Sequence, residues 1–334
     1  MPFTFLFSST LILGSILAIS SSQWIFIWLG LELNLMSFIP LLVYSNKYNE
    51  AEASMKYFLA QALGSGLILL GSMTLYMNPQ TLMNTNFMNM FLFMGLITKL
   101  GIPPCHFWFP SVMSMISWPM CLILTTWQKL VPIIILAYSI MPNMNLIIST
   151  IIIMSSIIGG LGGLNQTQLR PLMAYSSIGH MSWMLAAMTS SYSCSMIYLM
   201  IYIMITTPLM MLFWTSSSLS NMTTLKFSFY SPSHKMTISL LLMSLGGLPP
   251  FLGFFPKWMV MESLSTSFIL IIFITLLGSM INLYYYLNLM FINILTPSFL
   301  PLIKNKTSGN SYSFILPITA TMTLGLGPLM FIMI

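Results

Sequence analysis

The sequence predicts an all-α polytopic membrane protein with about eleven transmembrane helices. The 334-residue chain is 57% hydrophobic and only 4% charged, and its mean hydropathy is +0.92. Soluble globular domains carry roughly 25% charged residues, so this chain has too few to cover a surface in water. Apolar runs near the ~20 residues that cross a bilayer recur along the whole sequence. No linker or shift in composition divides it, which predicts a single integral membrane domain over residues 1–334.

The individual spans follow from the length of each apolar run and from the short connections between runs, which are rich in Ser, Asn, Pro and Thr. Their ends are set to within a few residues. The predicted spans are 3–20, 23–44, 51–77, 87–104, 117–140, 144–163, 171–189, 193–216, 236–261 (broken), 266–294 and 313–333.

The charges in the connections and at the span ends agree with this count. When the connections are assigned alternately to the two sides of the membrane, all the basic residues in the connections and at the span ends fall on the side of the N-terminus. These residues are Lys47, Lys56, Arg170, Lys226, Lys235, Lys304 and Lys306. Only Glu262 falls at the opposite side. The positive-inside rule therefore predicts an N-terminus on the inner side and, with an odd number of spans, a C-terminus on the outer side.

One motif occurs twice, and both copies interrupt an apolar segment beside a lysine. Gly-x-Pro-Pro-x-x-x-aromatic-Phe-Pro covers residues 101–110 and again residues 247–256, an offset of 247 − 101 = 146. Proline has no N–H for the carbonyl four residues earlier. If both segments are helical, the carbonyls that lose their partners are those of Lys99, Leu100, Leu245 and Gly246. Protein or a water-lined cavity must satisfy such groups in a membrane.

The span count also gives the two copies a symmetry. They fall in the fourth and ninth predicted spans, and five crossings reverse the direction of the chain. The copies are therefore expected to cross the membrane in opposite senses, as in inverted-repeat transporters, where paired interruptions mark the transport site. This predicts two inverted five-helix repeats over about residues 1–140 and 144–294, followed by an extra helix at 313–333.

Four charged side chains fall inside the predicted spans once those in the connections and span ends are set aside: Glu32, Lys99, Lys129 and Lys257. Each costs about 2.5–3.5 kcal/mol at a helix centre, and such residues mark ion or proton pathways. Lys129 lies near the middle of a span that we expect to be unbroken. A desolvated lysine can gain and lose a proton near neutral pH, which an ordinary surface lysine cannot. A purely structural hydrogen bond of Lys129 to a neighbouring helix is the alternative.

The other in-membrane groups have competing interpretations. A lone carboxylate at Glu32 needs an internal cation, and Lys99 is the natural partner, in either a switching or a static ion pair. Lys257 either takes part in transport or extends its ammonium to the membrane boundary. His180 lies in mid-span and either relays protons or is a structural histidine. His106 lies in the first break, and a role for His234, which lies in a loop, is not expected.

Other chemistries lack their signatures. The three cysteines, Cys105, Cys121 and Cys194, have no metal-binding spacing and are interpreted as small apolar side chains. The net charge of +6 comes without a basic, aromatic-rich patch, so nucleic acid is not an expected partner. The sequence has no P-loop, dinucleotide fingerprint or cysteine cluster. Cofactor and metal binding are therefore not expected of this chain, and redox chemistry is expected elsewhere.

Several motifs together resemble the antiporter-like membrane subunits of respiratory complex I. They are Gly30-Leu-Glu32-Leu-Asn34, Glu52-Ala-Ser-Met-Lys56-Tyr-Phe, Lys99-Leu-Gly-Ile-Pro-Pro with His106-Phe-Trp, Thr126-Trp-Gln-Lys129, Leu164-Asn-Gln-Thr with Tyr175-Ser-Ser, and Leu248-Pro-Pro-Phe-Leu-Gly-Phe-Phe-Pro-Lys257-Trp. They occur in order over about residues 24–260.

The resemblance implies an antiporter-like fold and a core membrane-arm subunit of NADH:ubiquinone oxidoreductase in the mitochondrial inner membrane, with the basic side facing the matrix. It implies proton translocation driven by electron transfer from NADH to ubiquinone in other subunits, which would hold the FMN and iron–sulfur clusters. Other complex I subunits and lipids would be its partners. Glu32 and Lys99 would form the family's pair, Lys129 would be the central lysine, and Lys257 the lysine of the second broken helix.

The sequence departs from the family pattern at three places. Many relatives carry Glu at the position of Ser111, Arg-Lys in place of Arg170-Pro171, and Asn in place of Gly179 before the histidine. The departures put the loop charges and the surroundings of His180 in doubt, but not the charges inside the membrane. A stand-alone cation/proton antiporter and a scaffold that seals the membrane arm are the alternative functions.

Overall fold

A computed structural model describes residues 2–44, 48–77, 82–139, 145–217, 232–265 and 268–295. Every regular element in these ranges is an α-helix. The helices are α1 (Pro2–Ser20), α2 (Trp24–Val43), α3 (Tyr48–Met77), α4 (Leu82–Leu100), α5 (Trp108–Met115), α6 (Trp118–Thr125), α7 (Trp127–Ser139), α8 (Asn145–Leu164), α9 (Leu169–Ser190), α10 (Tyr192–Ser217), α11 (Pro232–Gly246), α12 (Phe254–Leu264) and α13 (Ile269–Leu295).

The chain forms two compact units, residues 1–154 and 155–334. In the first unit α2 packs against α1 and α3, α3 packs against α4 and α5, and α7 lies beside α4. In the second unit α9 packs against α10, α12 and α13, and α11 lies between α10 and α13. In each unit a half-helix that ends at a Pro-Pro break is thus held by its neighbours on two sides.

Glycines allow the helices to cross closely in both units. A Cβ atom at Gly30 of α2 would lie 2.7 Å from the backbone nitrogen of Ala18 in α1. A Cβ atom at Gly159 of α8 would lie 2.5 Å from the backbone nitrogen of Gly179 in α9. Real Cβ atoms do not approach a backbone nitrogen so closely, so each crossing requires glycine. Close approach through small residues is the usual packing of helices in membranes.

Seven helical segments of the described residues are long and apolar enough to cross a membrane, and one of them, Trp118–Ser139, comprises α6 and α7. Helix α4 adds a shorter apolar stretch at Asn89–Leu100. Seven of the predicted spans correspond to these helices, and α9 corresponds to the predicted span 171–189. The count of eleven remains a prediction because the span expected at 313–333 lies outside the described residues. The inversion of the two repeats also remains a prediction.

Two predicted spans differ from the structure. The span expected at 87–104 is too short, because the chain resumes a helix after the first break as α5, just as α12 follows the second. The prediction of an unbroken helix over 117–140 is wrong, because the helix is interrupted at one residue. Thr126 (φ −112°, ψ −71°) separates α6 from α7. Pro132 provides no N–H to the carbonyl of Gln128 one turn earlier, which weakens the helix here. Lys129 therefore lies in the first turn of a half-helix.

Candidate proton-transfer site

Both breaks begin with the same backbone turn. At the end of α4, the N–H groups of Gly101 and Ile102 donate to the carbonyls of Thr98 and Ile97, over 3.2 Å each. Gly101 has φ +68°. This is a Schellman motif, in which a left-handed residue ends the helix. The glycine therefore terminates the half-helix, and the two prolines after it prevent its continuation.

The second break repeats this geometry. Gly247 has φ +78°, and its N–H donates to the carbonyl of Ser244 over 3.1 Å. The N–H of Leu248 donates to the carbonyl of Met243 over 3.4 Å. Two copies of one motif, 146 residues apart in the sequence, thus adopt one conformation.

Side chains bind the carbonyls that the breaks leave free. Nε2 of Gln61 donates to the carbonyl oxygen of Lys99 over 3.1 Å. Nζ of Lys257 donates to the carbonyl oxygen of Gly246 over 2.7 Å. Both of these carbonyls were predicted from the sequence to lose their helical partners. The first break is also tied to α5, because Nε1 of Trp108 donates to the carbonyl of Thr98 over 3.2 Å.

Lys99 lies at a polar cavity inside the first unit. The cavity is lined by Leu31, Asn34, Leu35, Tyr57, Gln61, Lys99, Gln128 and Pro132. Lys99 is 6% exposed. Nε2 of Gln128 donates to Oδ1 of Asn34 over 3.0 Å, which links α7 to α2 across this space.

Glu32 and Lys99 do not form the direct ion pair expected from the sequence. The two groups are near enough to interact electrostatically, but their charged atoms are more than 4.0 Å apart. By contrast, Nζ of Lys56 lies 2.7 Å from Oε1 of Glu52. Glu32 is half-buried, one residue after Leu31 of the cavity wall. No direct contact forms because the Glu32 carboxylate lies on α2, whereas Lys99 lies in the last turn of α4, which packs against α3.

Lys129 is 4% exposed and lies in the first turn of α7. Its Nζ lies over the ring of Phe109, 5.1 Å from the ring centroid. Phe109 belongs to α5, directly after the first break, and is 1% exposed. A Cβ atom at Gly101 would lie 3.0 Å from Cβ of Phe109, so the ring packs on the turn that ends α4.

The second unit has a small cavity next to His180. His180, Tyr198, Ile201, Tyr202, Ile205, Ser244, Leu245, Gly253 and Pro256 line it. Nδ1 of His180 and the hydroxyl of Tyr198 are hydrogen-bonded over 3.0 Å. Asn282 of α13 reaches the same region, since its Nδ2 lies 2.4 Å from where a Cβ at Gly179 would be. The amide thus fills the place at which relatives are expected to carry Asn.

In each unit the structure therefore brings the predicted residues to the end of a broken helix. Lys99 and Lys129 lie at the first break, and Lys257 lies at the second. His180 and the turn that precedes the second break share one cavity. Sequence reasoning missed Gln61, Gln128, Tyr198 and Asn282, as well as the ring of Phe109. These residues are uncharged. Phe109 lies in the repeated motif and Gln128 in Thr126-Trp-Gln-Lys129, whereas the only signal of Gln61, Tyr198 and Asn282 was that amides and tyrosines are rare in the middle of apolar spans.

Metal binding finds no support in the described ranges, where no three His, Cys, Asp or Glu side chains are grouped to hold an ion. Cys121 is buried and Cys105 is exposed. Cys121 lies on α6 and packs against the end of α5, where its thiol contacts the carbonyls of Met113 and Ile116. This agrees with its interpretation as a small apolar side chain.

The chain is similar to known proteins along most of its length. The family described as NADH:quinone oxidoreductase/Mrp antiporter, transmembrane, matches residues 21–282. NADH-ubiquinone oxidoreductase chain 2 of Lumbricus terrestris is 45% identical over 323 residues, which cover 96% of this chain and 95% of the relative. A chain of respiratory complex I from Thermus thermophilus superposes with a TM-score of 0.83 at 22% identity, covering 98% of this chain and 78% of the other.

The Mrp complex of a Dietzia species contains a further chain of this fold, with a TM-score of 0.82 at 14% identity over 95% of this chain and 73% of the other. The likeness at such low identity concerns the fold alone. These matches, together with the two breaks seen in the structure, confirm the predicted all-α membrane protein with an antiporter-like fold and two broken helices. The chain therefore belongs to the NADH:quinone oxidoreductase/Mrp antiporter transmembrane family and, within it, to the family of NADH-ubiquinone oxidoreductase chain 2.

Proposed function

We propose that this chain translocates protons as a core membrane-arm subunit of NADH:ubiquinone oxidoreductase, driven by electron transfer from NADH to ubiquinone in other subunits. Its family membership supports the assignment to that enzyme. The observation that carries the proton-transfer role is the burial of Lys129 beside the first break. A lysine that is almost fully removed from solvent in an apolar helix is expensive and is retained where ions or protons move.

The arrangement of the other groups supports stepwise transfer. Lys99 lies at a polar cavity with Tyr57, Gln61 and Gln128. Such a cavity gives protons access to the end of a broken helix, where irregular backbone is tolerated in a membrane. Glu32 is near enough to influence Lys99 electrostatically, so movement of one charge changes the proton affinity of the other. In this proposal Lys129 accepts the proton and releases it when the neighbouring charges shift.

His180 and Lys257 would perform the same task in the second unit. His180 is held by the hydroxyl of Tyr198, and Lys257 by the carbonyl of Gly246. The first hydrogen bond leaves His180 at the cavity that it lines. The second leaves Lys257 at the second break. An imidazole can pass a proton from one nitrogen to the other, which suits a relay.

The setting of the chain is part of the proposal. We place it in the mitochondrial inner membrane beside other antiporter-like subunits and lipids, with its N-terminus in the matrix and its C-terminus in the intermembrane space. NADH, FMN, the iron–sulfur clusters and ubiquinone would be handled by other subunits. The two inverted repeats at about 1–140 and 144–294 would each supply one half-channel.

The alternative of a stand-alone cation/proton antiporter has weaker support. The Mrp complex shares the fold at 14% identity, whereas the match to NADH-ubiquinone oxidoreductase chain 2 reaches 45% identity along nearly the whole chain. A scaffold with idle lysines would explain the fold but gives no reason to bury Lys129.

The test is Lys129→Met in the assembled complex, with the protons moved per NADH oxidised as the measurement. Methionine keeps the length and volume of the side chain and removes its charge. We expect fewer protons per NADH at normal assembly. Lys56→Met is the matched control, since Lys56 is an exposed lysine paired with Glu52. An unchanged ratio in the Lys129 variant would refute the proposed role.

A further inference from the structure

We propose that Phe109 is the positioning residue for the Lys129 ammonium, and that its ring makes the contact between α7 and the first break depend on the charge of Lys129. The inference rests on the proposed function and deepens it. It starts from the position of the Lys129 Nζ over the Phe109 ring, 5.1 Å from the centroid.

The charge of the lysine decides the strength of this contact. The face of an aromatic ring carries a negative partial charge that attracts a cation, and the attraction reaches about 2 kcal/mol where water is excluded. A neutral amine has no net charge to be attracted. With Phe109 1% and Lys129 4% exposed, water does not compete with the contact. The protonated lysine is therefore held more firmly against α5 than the neutral lysine.

The ring is itself fixed in place by a row of aromatic side chains. Phe38 of α2 and Tyr57 of α3 have ring centroids 5.2 Å apart, Tyr57 and Trp108 5.8 Å, and Trp108 and Phe109 5.6 Å. The interplanar angles are 70°, 64° and 80°. Edge-to-face pairs of this kind are a favoured arrangement of aromatic rings and add stability beyond burial. The row therefore holds the Phe109 ring in its orientation whether or not Lys129 is charged.

The same ring is bound to the break. Nε1 of Trp108, the neighbouring residue, donates to the carbonyl of Thr98 in the last turn of α4. Phe109 packs against the left-handed Gly101. The ring therefore belongs to the turn that ends α4, directly after Lys99. A proton gained by Lys129 strengthens the contact of α7 with this turn, and a proton lost weakens it.

The second break uses a different partner. At the position equivalent to Phe109, 146 residues later, the chain carries Phe255, but Lys257 binds the carbonyl oxygen of Gly246. A carbonyl oxygen accepts a hydrogen bond from either form of the amine, and the bond is stronger when the donor is charged. An aromatic face thus contacts the lysine at the first break, and a carbonyl oxygen binds the lysine at the second.

The experiment compares Phe109→Leu with Phe109→Trp in the assembled complex. The measurement is the rate of NADH-driven proton translocation per assembled complex in sealed vesicles. We expect the leucine variant to be about two- to thirty-fold slower, the range that follows from 0.5–2 kcal/mol of lost cation–π attraction. The tryptophan variant keeps a π-face and should retain most of the rate. Phe93→Leu, another buried phenylalanine of the same unit, is the matched control and should leave the rate unchanged.

Three results would overturn the inference: a normal rate in Phe109→Leu, an equal loss in Phe109→Trp, or an equal additional loss when Phe109→Leu is combined with Lys129→Met. The last would mean that the ring acts without the ammonium. If the leucine variant does not accumulate, the same comparison is made between Phe109→Tyr and Phe109→Met, which both keep most of the volume. If Lys129→Met itself leaves proton translocation intact, the proposed function fails; if only the ring variants do, this inference alone fails.

Discussion

Nζ of Lys257 lies 2.7 Å from the carbonyl oxygen of Gly246, so a lysine after the second break binds the last residue of the half-helix before it. The contact spans the whole Pro-Pro turn. It satisfies a carbonyl that the helix cannot satisfy and holds a charge in an apolar environment. One hydrogen bond therefore satisfies a free backbone carbonyl and stabilises a charged side chain, and both groups are costly in a membrane without a partner.

We predict that Gly247→Ala disrupts this contact. A Cβ atom at residue 247 would lie 2.8 Å from Nζ of Lys257, and the backbone has φ +78°, a left-handed conformation that costs a non-glycine residue about 1–2 kcal/mol. The expected result is a lower melting temperature of the assembled complex in detergent, together with slower proton translocation.

Gly66→Ala is the matched control for this substitution. Gly66 lies in the middle of α3. Apart from the backbone of this helix, no heavy atom lies within 4 Å of a Cβ built at Gly66. Alanine is favoured over glycine inside a helix by about 0.5–1 kcal/mol, so this variant should be at least as stable as the original chain. If both variants melt alike, the left-handed turn does not carry the strain assigned to it.

Gln61→Leu should destabilise the first break. The substitution removes the donor to the Lys99 carbonyl, which is buried, and an unsatisfied buried acceptor costs about 1–3 kcal/mol. Thermal unfolding of the assembled complex measures the effect. The control is Ser65→Ala one turn later, because the Ser65 hydroxyl bonds only within its own helix. Equal stability of the two variants would contradict the role of Gln61.

Tyr198→Phe tests the orientation of His180. The substitution removes the hydroxyl that meets Nδ1 of His180 at 3.0 Å and keeps the buried ring. Under the proposed function we expect slower proton translocation at normal assembly, because the imidazole loses a hydrogen-bond partner that holds its ring in place. Tyr175→Phe, a half-buried tyrosine of α9, serves as the control. A normal rate in Tyr198→Phe would show that the hydroxyl does not position the histidine for transfer.

Much of the fold was predictable from the sequence, because the signals are local. The apolar runs gave the helices, and Gly101 and Gly247 with their following prolines gave both breaks. The half-helix α5 was missed because residues 105–109 contain no strong helix signal, so the span seemed to end at the prolines. The interruption at Thr126 was missed because Pro132, which weakens the helix, lies six residues further along the chain.

The charged residues of the site could be predicted from the sequence, but the contacts that they make could not. Lys99, Lys129 and Lys257 stand out because a charge in an apolar span is rare. The partners of these residues come from distant parts of the chain: Gln61 is 38 residues from Lys99. Glu32 and Lys99 were paired by charge alone, whereas their separation depends on how α2, α3 and α4 pack. No pattern along one sequence determines such a distance.

The last prediction concerns Gly179, where relatives are expected to carry asparagine. The amide of Asn282 occupies the space beside Gly179, with Nδ2 2.4 Å from the position of a Cβ. Gly179→Asn should therefore destabilise the chain by about 1–3 kcal/mol, the usual cost of overpacking a buried site. The double substitution Gly179→Asn with Asn282→Ala should recover most of that loss, because one amide then replaces the other.

The thermal stability of the four combinations in the assembled complex gives the interaction energy between the two positions, which we expect to be about 1–3 kcal/mol. Recovery would mean that this chain keeps an amide beside His180 and supplies it from α13 instead of α9. Additive effects of the two substitutions would contradict the replacement, since independent sites do not compensate each other. If the amide also positions His180, the four combinations should rank in the same order by rate of proton translocation as by thermal stability.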